Sequence, residues 1–185
     1  MNRLLILLLL LTVFACGDDD DPIIPNEEEI ITDLVYVLTP ADSGATVTMS
    51  FSDPDGDGAQ GATITVSDSL RTNTTYTGVL ALANASDPAN PENVTAEIIA
   101  EDEDHLFFFV PTGGLDATVS YQDADSNGNP VGILTEVRTG DASTGSLRII
   151  LRHEPDKSAG ATISDPTGAG GETDIEVTFP VSITN

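Results

Sequence analysis

Apolar and polar residues alternate with a period of two along much of this chain, the repeat of a strand with one buried face. Val47, Met49 and Phe51 alternate with Thr48, Ser50 and Ser52, and Ala62, Ile64 and Val66 repeat the pattern after an acidic turn. Residues 79–83 and 106–110 are continuous apolar runs, which predicts strands buried on both faces. Leu147, Ile149 and Leu151 alternate with Arg148 and Arg152. The longest alternation closes the chain, with Ile175, Val177, Phe179, Val181 and Ile183 on one face. Pro180 within it cannot donate to a ladder, so it predicts an edge position or a bulge. No stretch carries helical periodicity, and clusters of Gly, Asn, Asp and Pro separate the runs. The pattern predicts an all-β fold, an antiparallel β-sandwich or barrel of about 8–10 strands.

Two segments also echo one another. Residues 34–40 align with 106–111, residues 46–55 align with 117–125, and Glu29-Ile30-Ile31 echoes Glu97-Ile98-Ile99. The offset of about 70 residues suggests two duplicated halves, 29–97 and 98–185, within one domain.

The first residues read differently. Arg3 precedes an unbroken apolar run from Leu4 to Leu11, and then come Ala15, Cys16 and Gly17. One positive charge, a short apolar core and a small residue before the cut are the parts of a secretory signal. The Val13-Phe14-Ala15-Cys16-Gly17 stretch resembles the lipobox of bacterial lipoproteins. That resemblance implies a signal peptide over 1–15 and a lipid on Cys16 that holds the chain to the outer membrane. Cys16 is the sole cysteine, so no disulfide can form within the chain. Asp18 to Asp21 resemble the acidic export signal of Bacteroidota lipoproteins, which implies display at the cell surface. The proline- and acid-rich remainder of residues 16–28 suits a disordered tether, and residues 29–185 form the β-sandwich domain.

Charge narrows the partners. The chain holds 31 acidic and 6 basic side chains, and removing Arg3 with the signal takes the formal charge from −25 to −26. Such a surface repels nucleic acid and favours cations or basic partners.

Two groups of residues are candidate ligands. Asp53, Asp55 and Asp57 in one turn, and Asp123, Asp125 and Asn127 in another, match the opening of a calcium loop, where oxygens at alternate positions converge. Neither turn has the bidentate Glu at the twelfth position, where Ile64 and Leu134 stand. Asp, Asn and Gly equally serve plain hairpin turns. The second group is His105 and His153, the only histidines, each at a strand end among carboxylates. Imidazole with carboxylate suits zinc or another divalent first-row metal. Glu101, Glu103 and Glu154 stand close enough in sequence to serve as co-ligands. No Gly-x-Ser-x-Gly elbow, HExxH pair or phosphate-binding loop is present, so a non-enzymatic role is expected.

Four segments carry a wider resemblance: residues 101–108, 127–132, 151–157 and 170–179. On them the chain resembles a family of uncharacterised Bacteroidota lipoproteins encoded beside TonB-dependent outer-membrane transporters. The resemblance covers most of residues 29–185. It implies a surface lipoprotein that binds a metal ion or metallated nutrient as accessory to a TonB-dependent receptor. The alternative reading is an adhesion or interaction module whose hairpins are stiffened by calcium.

Overall fold

In a computed structural model, residues 29–54 and 61–185 are described. Among them are ten strands and one helix: β1 Asp33–Pro40, β2 Val47–Ser52, β3 Thr63–Val66, β4 Leu70–Arg71, β5 Thr75–Ala83, α1 Val94–Ala100, β6 His105–Thr112, β7 Ala117–Tyr121, β8 Leu134–Thr139, β9 Ser143–His153 and β10 Glu172–Thr184. They form a six-stranded sheet in the order β3-β2-β1-β5-β8-β7 and a four-stranded sheet in the order β4-β10-β9-β6. Every pairing is antiparallel except the short β4–β10 contact. This is the all-β sandwich that the alternation predicts.

The inner faces of the two sheets make one core. Leu34, Tyr36 and Leu38 of β1, Met49 of β2 and Leu80 of β5 meet Phe107, Ile149, Val177 and Phe179 from the other sheet. The Tyr36 and Phe109 rings pack across the gap with centroids 5.4 Å apart. β6 is buried on both faces, as its continuous apolar run predicts. Phe107 and Phe109 point into the main core, whereas Leu106 and Phe108 join Ile150 and Ala169 in a second cluster. Ala169 comes from the β9–β10 connection, so that connection covers the outer face of the smaller sheet.

Three expectations need amendment. β5 has one buried face, not two: Leu80 and Leu82 are buried while Val79 and Ala81 are exposed. Composition misleads there because a valine and alanines on a solvated face still read as apolar. A helix is present despite the absence of periodicity. α1 has seven residues and buries only Val94 and Ile98, one i, i+4 pair, with Asn93 capping the Ala96 N–H. So short an element leaves no repeat to detect. The two echoing segments are built differently: β1 and β2 pair as a hairpin in the six-stranded sheet, whereas β6 pairs with β9 in the four-stranded sheet and β7 pairs with β8 in the six-stranded one. Alternating strands resemble one another in sequence whatever they pair with. For Pro180 the edge alternative holds: β4 meets β10 only at Ile183 and Thr184, which leaves Pro180 on an open flank, while the bulge of β10 lies at Thr173/Ile175.

Candidate metal centre

The inward-facing parity of β6 and β9 continues to the end of each strand. His105 shares the side of Phe107 and Phe109, and His153 shares the side of Ile149 and Leu151. In the ladder between these strands His105 and His153 are direct partners. Opposite residues of an antiparallel pair lie on the same face with side chains in contact. Their ring centroids are accordingly 4.9 Å apart, at one end of the core, with both residues buried.

Two carboxylates complete the group, and neither stands beside a histidine in sequence. Glu29 comes from the segment leading into β1; its Oε1 is 2.9 Å from His105 Nε2 and its Oε2 3.6 Å from His153 Nδ1. Asp174 comes from the start of β10, with Oδ1 3.7 Å from His153 Nδ1. Strict alternation with Ile175 and Val177 would send Asp174 outward. The β9–β10 register, however, steps from Thr173 opposite Arg152 to Ile175 opposite Leu151. Asp174 is therefore the extra residue of a β-bulge, a device that re-aims a side chain. Its side chain is fully buried. Gly171 helps to set this strand start. It adopts φ 69°, and a Cβ there would overlap the carbonyl oxygen of His153, so only glycine fits.

The hydrogen bonds around His105 fix its chemistry. Nδ1 lies 3.0 Å from the carbonyl oxygen of Glu101. A carbonyl only accepts, so Nδ1 carries a hydrogen and donates it. In the neutral ring, Nε2 then presents a lone pair to the cluster. Nε2 makes no hydrogen bond despite its 2.9 Å approach to Glu29 Oε1, and Glu29 Oε2 makes none either. A lone pair facing a buried carboxylate at that distance is repulsive unless a proton or a metal ion lies between them. An imidazole held by a carbonyl on one nitrogen and free to ligate on the other is the usual outer support of a metal site.

The spacing is also that of a ligand shell. Donor atoms at about 2.0–2.1 Å around a tetrahedral ion stand about 3.3 Å from one another. The observed separations are 2.9, 3.6 and 3.7 Å, and one ligand atom from each of Glu29, His105, His153 and Asp174 lies within 4.8 Å of all the others. This buried cluster can hold a metal ion. Two carboxylates also balance the charge of a divalent ion, which a buried site requires.

The carboxylates nearest the histidines in sequence go elsewhere. Glu101 contributes its carbonyl oxygen, not its carboxylate, and its side chain is exposed. Glu103 accepts from the Ser126 hydroxyl. Glu154 is exposed, in a left-handed conformation with φ 49°, and its N–H donates to the Asp104 carbonyl. All three leave the cluster because the chain turns at these strand ends and adjacent side chains diverge.

The acidic turns make no comparable cluster among the described residues. Asp123 accepts the N–H groups of Gly132 and Leu134. Asp125 accepts those of Asn127 and Asn129 and also meets the Lys157 ammonium at 3.0 Å. Lys157 donates as well to the Asp102 carbonyl, and both charged side chains are buried. A lysine thus occupies the place where a calcium ion would bind Asp125, and Asn127 contributes its backbone N–H to the turn. In the first turn Asp53 is buried at the end of β2, with its N–H on the Thr32 carbonyl. Asp55, Asp57 and the lipidation candidate Cys16 lie outside the described residues.

Neither a protein-family model, a curated protein nor a solved structure matches this chain. The chemistry of the site is therefore read from its own geometry.

Proposed function

We propose that this chain is an exported, lipid-anchored β-sandwich protein that binds one divalent first-row transition-metal ion between Glu29, His105, His153 and Asp174. The observation that carries this reading is the pair of buried imidazoles facing two buried carboxylates, with the His105 tautomer set so that Nε2 is the ligating atom. Two nitrogens and two oxygens suit zinc and its neighbours. Calcium takes six to eight oxygens, and copper(I) favours thiolates, so this donor set suits neither. Four protein ligands with side chains at most 6 % exposed resemble a closed site that retains its ion, not an open one that presents it to a substrate. That supports binding over catalysis.

The setting of the domain comes from the sequence. Cys16 and the acidic run that follows support an anchor in the outer membrane with the domain at the cell surface. The family resemblance supports service to a TonB-dependent transporter, to which this domain would bring a bound metal ion.

The test is calorimetric titration of the full chain in detergent with zinc, joined to metal analysis of the loaded protein. One zinc per chain is expected, lost in His105→Ala/His153→Ala. Unchanged binding by the double variant would sink the assignment.

A further inference from the structure

Three of the four ligands belong to strands of the four-stranded sheet: His105 begins β6, His153 ends β9, and Asp174 lies in the bulge of β10. Glu29 does not. It precedes β1, and among the described residues neither Glu29 nor Ile30 makes a backbone hydrogen bond. Ile30 is 59 % exposed, so it adds little packing. Firm attachment starts only afterwards. Ile31 enters the core, and Thr32 donates its N–H to the Ala83 carbonyl while its hydroxyl accepts from Ala85. Yet the Glu29 side chain is only 6 % exposed, with Oε2 buried and without a hydrogen-bond partner. A carboxylate held away from water, with no backbone support, needs a cation to keep it there.

We propose that Glu29 is a metal-operated latch: the ion that occupies the site seats the segment ahead of β1 on the histidine end of the sandwich. The inference rests on the metal-binding reading and adds regulation to it. With the ion bound, Glu29 is held against the His105–His153 pair. Without it, Glu29 returns to water and the start of the segment frays as far as Thr32. Glu29 is also the one ligand whose release opens the site without breaking a ladder, so it is the gate through which the ion enters and leaves.

The experiment is amide hydrogen exchange on the full chain in detergent, with zinc as probe and with excess chelator as reference, for the wild type and Glu29→Gln. The glutamine keeps the size and removes the charge. Zinc content is measured on the same samples. In the wild type, zinc should slow exchange of the Thr32 amide, which bonds the Ala83 carbonyl at the start of the attached segment, by about tenfold or more, a local closing free energy of at least about 1.4 kcal/mol. The β1–β5 ladder should not change. In Glu29→Gln that protection should vanish at zinc levels that saturate the variant. Absence of local protection in the wild type, or equal protection in Glu29→Gln, overturns the latch while leaving the metal site intact. A wild-type chain that takes up no zinc overturns the metal-binding reading itself, and the latch with it.

Discussion

Zinc should raise the thermal stability of this protein by an amount that depends on the two histidines together. A ligand that binds only the folded state stabilises it by RT ln(1 + [L]/Kd), about 2.7 kcal/mol at a free concentration 100 times Kd and about 4.1 kcal/mol at 1,000 times. For a domain of about 150 residues each kcal/mol moves Tm by roughly 2–4 °C. Zinc at 1,000 times Kd should therefore raise Tm by about 8–16 °C, and each further tenfold step should add about 3–5 °C. The unfolded chain offers no competing site of note, since Glu29, His105, His153 and Asp174 are far apart in sequence.

The quantity to compare is the zinc increment, not Tm itself. His105→Ala/His153→Ala leaves a void at the end of the core and two buried carboxylates without their imidazoles. Its Tm without metal will consequently fall for reasons that have nothing to do with zinc. Scanning calorimetry over a series of buffered free-zinc concentrations separates the two effects. The wild-type Tm should climb with the logarithm of free zinc, and that of the double variant should stay flat. A wild-type Tm indifferent to zinc would refute the metal-binding reading of the cluster. A double variant with the same slope would place any zinc elsewhere on this acidic surface.

Two other perturbations test the surroundings of the site. Lys157→Met leaves the buried Asp125 carboxylate without its cation, which costs roughly 3–5 kcal/mol and should lower Tm by about 6–20 °C. Burial alone would raise the Asp125 carboxyl, but the Lys157 ammonium and the Asn129 and Asn127 N–H groups outweigh it and hold it below the usual carboxylate range. A depressed carboxyl stabilises the fold above its unfolded value and loses that contribution as pH falls through the folded one. Acid unfolding of Lys157→Met should therefore begin at higher pH than in the wild type; an unmoved midpoint by circular dichroism would refute the role of the pair. Gly171→Ala forces a Cβ onto the His153 carbonyl at positive φ, so it should cost more than about 1 kcal/mol. Because that carbonyl belongs to a ligand residue, the variant should also bind zinc more weakly than the wild type, as read by titration.

Much of the sandwich is legible from alternation because one face of most strands is buried and the other solvated. The inward face of β10 and the double burial of β6 follow directly from their residues. The histidine pair is half legible. The parity of each ring can be counted from Leu151 and Phe107, but the register that sets His105 opposite His153 is a long-range pairing. The carboxylates were hidden for two separate reasons. Asp174 sits on the wrong parity until the bulge inserts it, and a bulge leaves no periodic trace. Glu29 lies 76 positions before His105 in the numbering and precedes any strand, so only the folded chain brings it near. Proximity in sequence instead favoured Glu101, Glu103 and Glu154. Residues that flank a strand end follow a turning backbone, and their side chains separate within two or three positions.

The acidity of the chain gives these two hidden carboxylates their meaning. The chain holds 31 acidic side chains, and a solvated one on the surface is uninformative by itself. Glu29 and Asp174 are different because burial removes the water that makes an anion tolerable. The field of the remaining acids adds to that cost, since like charges repel a carboxylate from the interior of an already negative molecule. The same field draws cations towards the site. Both effects act in one direction: they make the empty arrangement costly and the divalent-loaded one favourable. A protein that needed only a packed sandwich could close this end with leucines, as replacement of buried ionic groups by apolar ones often stabilises a fold. Two histidines opposed in register, a bulge that turns Asp174 inward and a glutamate brought in from ahead of the first strand are three independent departures from that simpler solution. A single bound ion, as proposed, would account for all three.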